Sequence, residues 1–268
     1  MKILRRFRRM AVLLAATSLV TSGCGNDSNP ASPQPQVMSQ ESADDVVLQT
    51  TFTLQFVGGD LEPILESQPL AAESPSRVRP ARALFDTTYA WNGLTYEATR
   101  TYYDALDMAL PAYGPTAVRV HWTSRASGTV MGERDTATVG RNAALDLRGI
   151  QAGQDTLRLD GTAQDTLLSR FRSFDGTRTR YFYWTSGLTI ANVRNLKSTL
   201  QTGFRPLSGT VTLVVSADRL RSNNRTDVET HLNVTVVITF NGSQQAEVVV
   251  DGRYRYLWDL DTQNVTRV

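Results

Sequence analysis

Val228-Glu-Thr-His-Leu-Asn-Val-Thr-Val-Val-Ile-Thr-Phe240 is the stretch that decides the fold. Val228, Leu232, Val234, Val236, Ile238 and Phe240 share one parity, and Glu229, His231, Asn233, Thr235 and Thr239 share the other. Strict alternation over this length describes an antiparallel strand with one face on a core and one in water. Thr210–Ala217 before it and Ala246–Leu260 after it read the same way, the latter with Val248, Val250, Tyr254, Tyr256, Trp258 and Leu260 on one face. A two-residue Asn241-Gly242 turn would pair Ile238 with Gln245 and Val236 with Glu247, burying the wrong side. The connection must therefore be odd, three or five residues. A three-residue loop would pair Ile238 with Ala246 and Val236 with Val248. Strands of about 12 to 15 residues are long against the usual five or six, so such neighbours must twist and curl.

Working upstream, the chain reads as strand-rich from Leu84. Asn92-Gly93 predicts a two-residue hairpin that faces Trp91 with Leu94 and Tyr89 with Tyr96. Tyr102–Pro111 has room for a short helix, and Thr116–Ala126 alternates as a strand. The polar run Thr129–Asn142 reads as an exposed or edge strand. Leu157, Leu159 and Ala163 mark a further strand, and Asp175-Gly176 marks a hairpin tip. A two-residue turn there puts Arg170 and Arg172 on one face and Arg178 and Arg180 on the other, a solvated tip that protrudes. Tyr181–Trp184 carries aromatics on both faces and belongs between two layers or against a helix. Asn192–Thr202 has no period to assign.

Val46–Val57 alternates, with Val46, Leu48, Phe52, Leu54 and Phe56 against Gln49, Thr51, Thr53 and Gln55, which predicts a strand. A helix is the competing reading, because Ser42 and Asp45 have capping-box spacing and Leu48, Phe52 and Phe56 repeat every four residues. Gly58–Ala83 contains four prolines and reads as a connector. The expected fold is mainly β: a single curved antiparallel sheet or a two-layer sandwich over residues 84–268, built from long meander strands. The 46–83 segment supplies a strand or one short helix docked on it.

The first nine residues hold Lys2, Arg5, Arg6, Arg8 and Arg9, and an apolar run from Met10 to Val20 follows. This is the layout of a secretory signal, and eleven helical residues, about 16 Å, are too short for a ~30 Å hydrocarbon core. Val20-Thr21-Ser22-Gly23-Cys24 resembles the lipobox of bacterial lipoprotein precursors, with Thr21 where leucine is commonest. The resemblance covers residues 1–23 as signal peptide and implies that Cys24 becomes the lipidated first residue. Stable anchoring by acyl chains needs at least two of them. Residues 24–45 read as the lipidated cysteine and a polar tether whose ends lie on the order of 25 Å apart. Gly25 is not the aspartate that, in that family, retains lipoproteins in the inner membrane, so the resemblance implies an outer-membrane location in the cell envelope.

Cys24 is the only cysteine, so no disulfide is open to the domain. Without the signal, 23 Lys+Arg stand against 26 Asp+Glu, a formal net of −3, and Lys197 is the one lysine left. This balance gives no basic footprint for nucleic acid. His121 and His231 lack metal-ligand spacing, and Asp259-Leu260-Asp261 begins like a calcium loop without its glycine and late glutamate. No cofactor is expected. No nucleophile elbow, Ser-x-x-Lys pair or phosphate loop is present, and the expectation is a protein that is not an enzyme.

Two clusters suggest binding. Arg170, Arg172, Arg178 and Arg180 form a candidate contact for the anionic groups of lipids or lipopolysaccharide, against the alternative of a plain solvated tip. Tyr254, Tyr256 and Trp258 could line a groove, though strand spacing makes them core. The leading expectation is a membrane-anchored envelope lipoprotein whose domain is a non-enzymatic binding or structural module for an envelope protein or surface component. A curved sheet closed by one helix resembles the periplasmic lipoprotein-carrier families, which implies the alternative of a carrier or chaperone of a hydrophobic ligand in an apolar cavity. A carboxylate-dependent glycan hydrolase is the further alternative, because paired acids on distant strands leave no local motif. An integral β-barrel is disfavoured by charges on the polar parities.

Overall fold

In the computed structural model, which describes residues 38–66, 87–132, 135–200, 205–221 and 226–268, the alternating segments pair into one open antiparallel sheet of twelve strands. The signal peptide, Cys24, the tether up to residue 37 and the connector from 67 to 83 lie outside the described residues. The strands are β1 (Thr87–Trp91), β2 (Leu94–Tyr103), β3 (Ala109–Leu110), β4 (Arg119–Met131), β5 (Asp135–Arg148), β6 (Thr156–Arg172), β7 (Thr179–Leu196), β8 (Pro206–Leu220), β9 (Val228–Phe240), β10 (Gln245–Val250), β11 (Tyr254–Asp259) and β12 (Val265–Arg267). Each lies beside its sequence neighbour, except that β2 pairs with β4 as well as with the short β3. The fold is therefore a single curved meander and not a two-layer sandwich. The described core is contained in Met38–Val268.

The largest correction concerns residues 46–57, which are not a strand. They lie inside α1 (Gln40–Glu66), a helix that starts within the stretch read as tether. Ser39 caps it, since its Oγ accepts from the Ser42 amide at 3.2 Å, and Ser42 is not the cap. Both parities of the segment are buried: Val46, Val47, Gln49, Thr50, Thr53, Phe56 and Asp60 are all 0% exposed. A heptad-spaced strip, Glu41, Leu48 and Gln55, keeps contact with solvent. A helix buried nearly all round has no amphipathic stripe to read, and here tertiary burial overrides the local alternation. Thr51 and Thr53 satisfy their hydroxyls on the Leu48 and Gln49 carbonyls at 3.0 and 2.8 Å. Pro63 cannot donate to the Gly59 carbonyl, and the Tyr89 hydroxyl of β1 takes that acceptor at 3.0 Å.

The inner face of the sheet holds alternate residues of the long strands, with one reversal of phase in β7. One row runs Trp122, Leu145, Ile190, Val211, Ile238, Val248 and Tyr256, with Gly161 between Leu145 and Ile190. Helix α1 crosses this face. Its residues bond to Tyr89 of β1, Ser124 of β4, Arg141 of β5, Arg219 of β8, Tyr256 of β11 and Arg267 of β12.

The Asn92-Gly93 hairpin forms as expected, with Trp91 opposite Leu94 and Tyr89 opposite Tyr96. The β9–β10 register is that of an odd connection: Thr239 faces Glu247, Ile238 faces Val248 and Val236 faces Val250. Ala246–Leu260 is two strands rather than one. Asp251 and Gly252, at φ 50° and 67°, fold it back into β10 and β11, and the three-residue loop keeps the apolar residues on one face. Tyr102–Pro111 is not a helix: β2 continues to Tyr103 and a turn follows, in which the Asp104 carboxylate accepts from the amides of Leu106 and Met108. The run 129–142 is not an edge but spans the β4–β5 hairpin, with β5 seated between β4 and β6.

Residues 192–202 show no period because β7 contains a bulge. Inner residues run Phe182, Trp184, Leu188 and Ile190, then jump to Val193 through Asn192, whose φ is 52° and whose amide donates to Asp160 at 2.7 Å. The phase of the strand reverses there, and Arg194 turns outward. Gly209 on β8 permits the bulge: at φ 119°, a Cβ on it would sit 2.5 Å from the Val193 Cα. A short helix, α2 (Lys197–Leu200), ends the strand.

Candidate functional site

Arg170, Arg172, Arg178 and Arg180 do not form one site. The loop between β6 and β7 is six residues long, so Arg172 faces Thr179 and Arg180 faces Phe171 on the inner side. The Asp175 carboxylate organises the loop, accepting from Ser173, Thr177 N and Thr177 Oγ1, and these bonds hold its pKa down to about 2. Arg180 lies against Glu41 and Asp45 of α1, and Arg178 reaches Glu41 at 3.2 Å. Arg170 and Arg172 stay exposed on the outer face. Tyr254 and Tyr256 line no groove, because their hydroxyls bond to Met38 O and Asp44 at the start of α1.

The strongest electrostatic feature is the seam between α1 and the inner face. Arg141 is fully buried. Its Nε and Nη2 donate to Asp60 Oδ2 at 2.9 and 2.7 Å, and its Nη1 donates to Asp165 Oδ1 of β6 at 2.6 Å. Ser124 completes the Asp60 shell at 2.7 Å. Burial alone would favour a neutral guanidine, but the two carboxylates outweigh it and hold Arg141 above its ordinary pKa. Burial pushes Asp165 up against the pull of Arg141, and Asp165 Oδ2 has no hydrogen-bond partner.

At the other end of the helix, Asp45 lies 3.1 Å from Arg219 Nη2 and 3.4 Å from Arg180 Nε, yet neither of its oxygens makes an aligned hydrogen bond. Burial raises its pKa to about 7, opposed by Arg219 and reinforced by Asp44. Asp44 accepts from the Tyr256 hydroxyl at 2.9 Å and from Arg267 Nε at 2.9 Å. Burial, then the bond to Asp44, keeps the Tyr256 phenol protonated. Sequence reading passed over Arg141, Asp60, Asp165, Arg219, Asp44 and Arg267, and gave Asp45, Arg180 and Tyr256 other roles. Arg141 alone carried a usable signal, a charge at the parity of Ala137, Val139, Ala143 and Leu145.

Two shallow polar grooves mark the outer face. One, of about 530 Å³ across β6–β9, is bordered by Gln164, Thr166, Thr185, Gly187, Ser216 and Asn233. The other lies across β2, β4 and β5 by Glu97, Thr123, Arg125 and Asn142. His121 sits 3.3 Å from Asp146 and His231 2.6 Å from Asp218, both on the outer face. Among the described residues, no group of three or more His, Cys, Asp or Glu is placed to hold a metal ion. Asp146 and Asp160 face each other across β5 and β6, but on an open surface, and they hold Arg119 and Arg158 respectively at 2.6 and 2.7 Å. No helix among the described residues is long and apolar enough to cross a membrane. No protein-family model, curated protein or solved structure matches this chain.

Proposed function

We propose that the chain is a lipid-anchored protein of the cell envelope whose β domain works as a non-enzymatic binding module through its outer face. The observation that carries this reading is the occupied interior. Helix α1 fills the concave side of the sheet, where a carrier would hold its ligand, and the outer face carries the open grooves. The anchor rests on the residues Val20–Cys24 and the basic, apolar run before them.

Two measurements test the reading. Labelled palmitate is expected in the wild-type chain and absent from Cys24→Ser, and equal labelling would overturn the anchor. Residues 25–268, purified without detergent, are expected to show a bare mass in native mass spectrometry. A stoichiometric adduct of lipid mass would overturn the binding module in favour of the carrier.

A further inference from the structure

Four arginines stand side by side on the outer face. The register sets Arg119 of β4 opposite Arg148 of β5, Arg148 opposite Arg158 of β6, and Arg158 opposite Arg194 of β7. Directly opposed residues have Cβ atoms about 4.5–5.5 Å apart, and like charges there destabilise a sheet. The row exists because the bulge at Asn192 turns Arg194 outward; in the phase of Ile190 it would point into the core. Two members are neutralised. Arg119 holds Asp107 at 2.8 Å and Asp146 at 2.6 Å and lies over the Tyr103 ring, and Arg158 holds Asp160. Arg148 and Arg194 are exposed and have no carboxylate partner among the described residues.

A second observation lies at the same end of the sheet. The turn that Asp107 pins to Arg119 exposes Leu106 at 82% and Met108 at 63%, among the most exposed large apolar side chains described. Cations that reach for phosphate beside apolar side chains with no protein neighbour are the two elements of interfacial membrane binding. A soluble polyanion would use the first element and leave the second in water.

We infer that the Arg148–Arg158–Arg194 row and the Leu106–Met108 turn together dock the domain on the surface of an anionic phospholipid bilayer, the guanidiniums on lipid phosphates and the turn in the headgroup layer. The inference rests on the envelope reading for its setting, but its test does not use the anchor. Arg158 shares its charge with Asp160, so Arg148 and Arg194 supply most of the attraction.

The test uses residues 25–268, which retain the whole described core and lack Cys24, in sedimentation with phosphatidylglycerol–phosphatidylcholine vesicles. Binding is expected to fall with salt and to be absent with phosphatidylcholine alone. Arg148→Gln with Arg194→Gln is expected to weaken it about 10- to 30-fold, at roughly five-fold per basic residue near the surface. That variant should melt at or above the wild-type temperature, since it removes like-charge neighbours. Arg170→Gln with Arg172→Gln removes the same charge from the other end and should change binding less than about two-fold. Leu106→Ser with Met108→Ser should weaken it several-fold. Equal losses in the two arginine double variants, or equal binding to neutral and anionic vesicles, would overturn the inference. So would binding indifferent to the Leu106 and Met108 changes. Palmitate labelling that fails while vesicle binding holds would remove the anchor and leave this surface standing.

Discussion

The two ends of α1 are held by the same chemistry in opposite states. At the C-terminal end, Asp60 meets Arg141 and Ser124 in aligned hydrogen bonds of 2.7–2.9 Å. At the N-terminal end, Asp45 meets Arg180 and Arg219 at ion-pair distance with its oxygens unbonded. A buried charge is tolerated only when geometry and hydrogen bonds offset its desolvation. The difference teaches that Asp60 acts as a fixed anchor, and Asp45 as a group that trades its charge for a proton near neutral pH.

Arg141→Met breaks the anchor and has the largest expected effect. It leaves Asp60 and Asp165 buried without a cation and should cost about 3–5 kcal/mol in urea unfolding. Asp45→Asn acts in the other direction. Because the folded-state pKa is raised to about 7, the folded protein holds a proton that the unfolded chain has released above about pH 4. Stability from this group is complete below the unfolded value and is lost as pH rises through 7. Asp45→Asn should therefore be more stable than wild type at pH 8 by about 2–4 kcal/mol, with the difference vanishing below about pH 4. A wild-type stability that rises between pH 4 and 7 relative to the variant would reverse the contrast between the ends.

Tyr256→Phe removes a donor to Asp44 while Arg267 remains, and should cost about 1–2 kcal/mol. Arg178→Ala, at an exposed pair with Glu41, should change stability by less than about 0.5 kcal/mol. Hydrogen exchange sharpens the comparison directly: amides around Asp60 should be better protected than those of residues 43–47 at pH 8, and the gap should narrow in Asp45→Asn.

Legibility followed the water-facing boundary. Where a strand has one wet face, as in Val228–Phe240, alternation and the odd-loop argument placed the apolar residues on the correct side. The Asp251-Gly252 turn inside Ala246–Leu260 was a readable hairpin signal that the surrounding run of apolar residues concealed. Residues 129–142 looked exposed because their buried positions include Ala137 and Arg141, a small and a charged group, beside only Val130 and Val139. Arg148, Arg158 and Arg194 lie far apart in the chain, and only pairing across three strands makes them a row.

Local alternation and turn chemistry determined that this chain builds a long-stranded antiparallel meander, because a strand's two faces see different solvents and the residues record it. The helix, its two unlike ends and the arginine row were decided by the tertiary structure. Once the sheet packs around α1, little of that helix beyond the narrow strip of Glu41, Leu48 and Gln55 meets water, and charge pairing across strands replaces periodicity as the rule for what sits where.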